Sequence, residues 1–113
     1  MRFEIVEMDG TARRIVLDGR MDAMGCEAIE TGFTAAASAA GQHVLIDLSK
    51  VAYVGSLAVR LFISSVRVVT RRGLKMVIYG AQPQPLDVFE TVALADLIPI
   101  VPDEAAALAL LAG

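Results

Sequence analysis

The chain has 113 residues, a formal net charge of −3 and a pI of about 5.0. Hydrophobic residues make up 56% of it and charged residues 20%, so the chain can bury a core and is not disordered. A protein that binds nucleic acid usually has a basic face, so the acidic balance and the scattered arginines argue against that class.

The cysteine content and the hydropathy pattern bear on the compartment. The single cysteine, Cys26, excludes an internal disulfide and is consistent with a reducing environment. No apolar run reaches the roughly 18 residues that a bilayer span needs, and the first residues lack a signal-peptide pattern. We therefore expect a cytoplasmic protein without membrane insertion, folded as one domain over residues 1–113.

The first third of the chain predicts a hairpin followed by a helix. Residues 3–8 alternate in part as a strand does, Asp9-Gly10 is a strong hairpin signal, and residues 13–17 form the antiparallel partner strand. Asp22 is typical of a helix N-cap, and Gly41 of the residue that stops a helix. The apolar face of this helix is predicted to contain Cys26, Ile29, Phe33, Ala36 or Ala37, and Ala40.

The centre of the chain predicts a buried strand, a loop and a second helix. Residues 44–48 are apolar and β-branched, residues 50–55 form the loop, and Ser56 opens the helix that Gly73 ends. The predicted inner face of this helix consists of Leu57, Leu61, Ser65 and Val68, with Ala58, Phe62 and Val69 beside them. The stripe of Arg60, Ser64, Arg67 and Arg71 is predicted to face solvent.

The last third continues the alternation of strands and helices. We predict a strand over 75–79, a turn over 80–85, a short helix over 86–93, an edge strand over 97–101 and a final helix after Pro102-Asp103. The order is then β-β-α-β-α-β-α-β-α, which indicates an α/β fold with a mixed sheet and helices packed on it.

Signatures of catalysis are missing from the sequence. It has neither a glycine-rich phosphate loop nor a dinucleotide fingerprint, and His43 with Cys26 does not make a metal site. A phosphoacceptor receiver domain would need an acidic pair after its first strand and a lysine near its last strand, which this chain lacks. We therefore expect a protein that is not an enzyme and uses no cofactor or metal.

Two polar residues stand where a strand gives way to a helix, namely Asp22 and Ser56. If the second and third strands are parallel, both helix starts lie at the end of the sheet where open α/β proteins usually present their sites. The alternative is that both are ordinary caps, each worth about 1 kcal/mol. Pattern alone leaves both interpretations open.

Several segments together resemble the STAS domains, which include the bacterial anti-sigma-factor antagonists. Residues 44–60, Val-Leu-Ile-Asp-Leu-Ser-Lys-Val-Ala-Tyr-Val-Gly-Ser-Leu-Ala-Val-Arg, are similar to the family's strand, its "Asp-Leu-Ser-x-Val", its aromatic and the "Asp-Ser-Ser-Gly-Leu" that opens a helix. Residues 17–23, 72–80, 88–100 and 103–106 resemble further family segments in the right order.

This resemblance implies a partner-switching regulator. In that family a serine at the helix start is phosphorylated by an anti-sigma factor that is also a serine protein kinase, and a serine phosphatase restores it. The acceptor falls on Ser56 and the acidic residue of the first helix on Asp22. The sequence departs from the pattern at Gly55, Leu57 and Ala58, where the family has an acidic residue, a serine and a glycine.

The residues around Asp22 and Ser56 give the expected partner-binding set, which is Met21, Asp22, Met24, Val54, Gly55, Leu57 and Arg60. Its apolar members form either an adaptable rim for a partner or a plug at the end of the core. The departures at Gly55 and Leu57 motivate an alternative function, a non-phosphorylated STAS scaffold in a complex such as a lipid-transport ATPase assembly. A small-molecule or nucleotide binder is a third possibility, and the oligomeric state stays open.

Overall fold

The computed structural model describes residues 1–8, 10–38 and 41–112. The elements in chain order are β1 (Arg2–Met8), β2 (Ala12–Met21), α1 (Ala23–Ser38), β3 (His43–Val54), α2 (Ser56–Arg71), β4 (Met76–Tyr79), α3 (Pro83–Thr91), a 3-10 turn (Leu94–Asp96), β5 (Ile100–Val101) and α4 (Glu104–Ala112). The predicted order of strands and helices is confirmed. Within the described residues, no helix combines the length and the apolar character that crossing a membrane requires.

The sheet has five strands in the order β1-β2-β3-β4-β5. β1 pairs antiparallel with β2, and the remaining neighbours are parallel. The predicted hairpin and mixed sheet are therefore confirmed, although Asp9 of the hairpin signal lies outside the described residues. The last strand lies at the edge of the sheet as predicted, but it covers only Ile100–Val101 of the predicted residues 97–101. Because β2 and β3 are parallel, the helices that follow them begin at the same edge of the sheet.

One face of the sheet carries the main core beneath α1, α2 and α3. Alternate strand residues such as Ile15, Leu17 and Ile46 are fully buried there. Phe62 of α2 lies between two other aromatic rings, with edge-to-face centroid distances of 6.0 Å to Phe33 of α1 and 6.2 Å to Phe89 of α3. The few aromatic residues of the chain thus join the three helices.

The opposite face is covered by α4 over β3, β4 and β5. Ala107 of α4 packs on Leu45, Val77 and Tyr79. The Tyr79 hydroxyl donates to Glu104, the first residue of α4, at 3.0 Å, and the Arg14 guanidinium donates to the same carboxylate. A polar cluster thus fastens α4 to the strands.

Two strands are longer than the sequence predicts. Residues 50–54 were expected in a loop, but β3 runs on to Val54, where Val51 and Val54 are buried. β2 follows it as far as Met21 by means of two register shifts, and Gly19 at the second shift has φ 130°. Bulges of this kind bend a strand without ending its pairing, which is why the hydrophobic alternation did not show the extension.

Other element boundaries also differ from the predictions. α3 begins at Pro83 and not at the predicted residue 86, because a proline is well suited to the first turn of a helix. The turn predicted over 80–85 is therefore shorter than expected. The inner face of α2 contains Val59 and Val66 in place of Leu57 and Val68, because the buried stripe is rotated by about one residue. The solvent-facing arginine stripe of α2 is confirmed. The predicted face of α1 is confirmed except at Ala40, which lies outside the described residues.

Candidate functional site

The starts of α1 and α2 lie side by side at one edge of the sheet. Met21 and Val54 are paired in the parallel ladder of β2 and β3, and the Gly55 N–H donates to the Met21 carbonyl oxygen at 3.0 Å. Asp22 follows Met21 directly, and Ser56 follows Val54 after Gly55, so the two polar residues that the sequence predicts at this end both lie here. We call this region, residues 20–24 and 53–57, the Ser56 edge.

Asp22 is the N-cap of α1, as predicted. Its Oδ1 accepts the Gly25 N–H at 2.8 Å, and its Oδ2 lies 3.3 Å from Nε of Arg20. The Arg20 guanidinium in turn lies 3.9 Å from the centroid of the Tyr53 ring. The Asp22 side chain remains 42% exposed, so a carboxylate with fixed partners still reaches the surface.

Ser56 is exposed and occupies the first position inside α2, one residue beyond the N-cap. The N-cap is Gly55, and no side chain makes a capping hydrogen bond there. The expectation that Ser56 is a cap is therefore corrected: its hydroxyl is not used to satisfy the helix terminus. The first N–H groups of an α-helix have no acceptor within the helix, so Ser56 stands beside free donors.

The predicted partner-binding residues divide into exposed and buried ones. Met24 is 82% exposed and Leu57 39% exposed, and Arg60 also faces solvent. Met21 and Val54, at 0% and 1% exposure, belong to the core, so the idea that they form part of an accessible rim is wrong. Both are the last residues of inner strands, and their side chains point under the helices.

No pattern in the sequence indicates the part that α3 plays at this edge. The Gln84 side chain accepts the Val54 N–H at 2.9 Å and donates to the Val54 carbonyl at 3.1 Å. Gln82 donates to the Ser49 carbonyl at 2.9 Å. β4 pairs with β3 only as far as Asp47, and the two glutamine side chains occupy hydrogen-bonding positions beyond that point. They hold the strand end that precedes Ser56.

Cys26 lies in the first turn of α1, and its side chain is buried. Burial raises the pKa of its thiol, and the negative charges of Asp22 and Glu30 add to that effect. The thiol is therefore held in its neutral form, as is typical of a core residue. Among the described residues, no group of three histidine, cysteine, aspartate or glutamate side chains could hold a metal ion.

Comparisons with known proteins agree on the fold. The chain is similar to an anti-sigma factor antagonist from Mycobacterium paratuberculosis (TM-score 0.88, 18% identity, 99% of this chain and 94% of that one). It is also similar to an anti-sigma-factor antagonist (STAS) domain protein from Planctomyces limnophilus (TM-score 0.86, 19% identity, 98% of both chains). A third similar structure is the Bacillus cell fate determinant SpoIIAA in its phosphorylated form (TM-score 0.71, 16% identity, 96% of this chain and 99% of that one).

Sequence comparison gives the family directly. A search among curated proteins finds no match. The STAS domain model matches residues 3–107, which is nearly the whole chain and includes every residue of the Ser56 edge. The chain therefore belongs to the STAS domain family.

Proposed function

We propose that the chain is an anti-sigma-factor antagonist, and that phosphorylation of Ser56 controls its binding to an anti-sigma factor that is also a serine kinase. The main support is the exposed Ser56 at the first position of α2, beside the start of α1. Two of the similar structures named above are anti-sigma factor antagonists, and the third is a phosphorylated form of a cell fate determinant. A serine phosphatase as second partner and a cytoplasmic location belong to the same proposal.

A phosphate on Ser56 is compatible with the fold. It would carry a charge of about −1.5 to −2 and would lie at the positive end of the helix dipole, near unpaired backbone N–H groups. Arg60, exposed four residues later on the same side of α2, offers a cation at helical spacing. The modification therefore acts on partner binding and leaves the domain folded.

The effect on binding follows from desolvation. A partner that covers the Ser56 edge buries a neutral hydroxyl in the unmodified protein but a dianion in the phosphorylated one. Without a matching cation in the partner, burying that charge costs several kcal/mol. Leu57 and Met24 lie exposed beside Ser56 and supply apolar surface that such a partner would cover.

Ser56→Glu is expected to keep or raise the free energy of unfolding, by about 0.3–1 kcal/mol, because a negative charge in the first turn interacts favourably with the helix dipole. Urea denaturation followed by circular dichroism measures this. Ser56→Gln is the matched control, since it adds a side chain of the same size without the charge, and it should give no gain. A loss of more than 1 kcal/mol for Ser56→Glu would contradict the account.

Phosphorylation itself is tested with a purified anti-sigma-type serine kinase encoded in the same genome. After incubation with ATP, intact-mass analysis should show one phosphate in the wild type and in Ser64→Ala, and none in Ser56→Ala. Calorimetry should show that Ser56→Glu weakens kinase binding at least tenfold. If the kinase binds but places no phosphate on Ser56, the phosphorylation half of the proposal fails.

A second candidate is a non-phosphorylated STAS scaffold, for example in a lipid-transport ATPase assembly. The observation in its favour lies on either side of Ser56. Leu57 exposes an apolar side chain where the family has a second serine, and Gly55 has no side chain where the family has an acidic residue. Equal affinity of wild type, Ser56→Ala and Ser56→Glu for an ATPase subunit would favour this candidate over the first.

A further inference from the structure

A groove of about 620 Å³ lies between α1 and α2 and opens next to the Ser56 edge. Its apolar lining includes Cys26 and Leu61, which are almost fully buried, and Leu57, which is partly exposed. Glu27 and Glu30 line it from α1, and Arg60 from α2. We call it the α1–α2 groove.

The charges of the groove are not balanced. Glu27 and Glu30 bring two negative charges to the α1 wall, whereas Arg60 brings one positive charge to the α2 wall. The ion pairs within 4 Å among residues 1–8, 10–38 and 41–112 include none of these three charged groups.

The length of the groove fits a short helix. Along α1 its lining runs from Ala23 to Thr34, which corresponds to about 16 Å or three helical turns. Amphipathic helices bind such grooves by placing apolar side chains on the floor and polar side chains against the walls. An excess of carboxylates on one wall favours lysine or arginine at those polar positions.

We propose that the α1–α2 groove binds a basic amphipathic helix of about three turns from the partner protein, with an apolar side chain between Cys26 and Leu61 and basic groups at Glu27 and Glu30. The inference rests on the proposed function, because the groove is continuous with the Ser56 edge through Leu57. A second copy of this chain would bring the same surface, with two glutamates and one arginine, and its net negative charge would repel the groove. A basic helix therefore complements the groove better than a second copy does.

The test uses a synthetic amphipathic peptide of about 14 residues, with leucines at helical spacing and flanking lysines, titrated into the isotope-labelled chain and followed by NMR. We expect the chemical-shift changes to be confined to residues of α1 and α2. The pair Glu27→Lys and Glu30→Lys should weaken binding at least tenfold. The control pair Glu4→Lys and Glu90→Lys, which makes the same charge change at exposed positions on β1 and α3, should weaken it less than twofold.

Several results would overturn the inference. The first is chemical-shift changes outside α1 and α2. The second is an equal loss of peptide affinity in both pairs of variants. The third is equal affinity for a peptide that carries glutamates in place of the lysines. Concentration-dependent dimerisation that is lost only in the Glu27→Lys and Glu30→Lys variant would assign the groove to a second copy.

Binding of the anti-sigma-type kinase separates this inference from the proposed function. If Ser56→Glu abolishes kinase binding and the Glu27→Lys and Glu30→Lys pair leaves it unchanged, the groove inference fails and the proposed function stands. If the kinase does not bind the wild type at all, the proposed function fails, and the groove inference fails with it as a statement about that partner.

Discussion

Gly55 caps α2 although its backbone does not require glycine. Its φ of −111° and ψ of −173° are extended, and an added Cβ would lie in ordinary contact, 3.6 Å from the Tyr53 hydroxyl and 3.7 Å from the Met21 carbonyl oxygen. Gly55→Asp should therefore raise the free energy of unfolding by a few tenths of a kcal/mol, because the carboxylate accepts a free N–H of the first turn. Denaturant unfolding checks this, with Gly55→Ala as the control that should lose stability.

Gly25 is required by a close approach of two backbone segments. A Cβ there would lie 2.0 Å from the Arg20 carbonyl oxygen, whereas a Cβ at Gly32 would meet only the ring of Phe3, at 2.9 Å. Gly25→Ala should lower the free energy of unfolding by about 1–3 kcal/mol, because the start of α1 must move away from β2. This loss is expected although alanine has a higher helix propensity than glycine. Gly32→Ala should be neutral or stabilising, by up to about 1 kcal/mol, since the Phe3 side chain can shift. Thermal unfolding of the two variants compares them, and equal effects would contradict this explanation.

The contact between α3 and the end of β3 depends on one side chain. Gln84→Met keeps the length of the side chain but removes both hydrogen bonds to Val54, which should cost about 1–3 kcal/mol, because a buried N–H and C=O lose their partners. Hydrogen exchange should accelerate at the Val54 amide and leave that of Ile46 unchanged. Gln82→Met, which removes one exposed bond to Ser49, is the control and should have a smaller effect. Unchanged exchange at Val54 would show that Gln84 does not hold the strand.

At the scale of elements, the sequence predicts best what depends on local pattern. The Asp22 cap, the hairpin and the arginine stripe of α2 follow from spacing and residue type, and all three are found. The end of β3 escaped prediction because its partners are the bulged end of β2 and a glutamine 30 residues later in the chain. The sequence left open whether Met21 and Val54 form a rim or a plug at the end of the core, because closeness in sequence to Asp22 and Ser56 does not give the direction of a side chain, and the structure shows the plug.

At the scale of the whole molecule, the polar cluster around Tyr79 fastens α4 to the face of the sheet opposite α1, α2 and α3. Oδ2 of Asp47 also lies within hydrogen-bonding distance of the Tyr79 hydroxyl, at 3.2 Å, so the single phenol proton lies between carboxylates of β3 and α4. Burial raises the pKa of Tyr79 above its ordinary value near 10, and the Asp47 and Glu104 carboxylates raise it further. The folded chain therefore keeps this proton at pH values where the unfolded chain has lost it.

This difference predicts how global stability depends on pH. Above about pH 10 the unfolded state binds fewer protons than the folded state, so the free energy of unfolding should fall as the pH rises, by up to about 1.4 kcal/mol per pH unit from this group. Tyr79→Phe should lose about 1–2 kcal/mol at neutral pH through the missing hydrogen bonds, and its stability should fall less steeply above pH 10. Urea titrations from pH 8 to about pH 11.5 measure both slopes. Ala107→Gly is the control: it weakens α4 without removing a titrating group, so its stability should change with pH as steeply as that of the wild type. If the stability of Tyr79→Phe also falls as steeply as that of the wild type, this phenol does not couple the fold to pH.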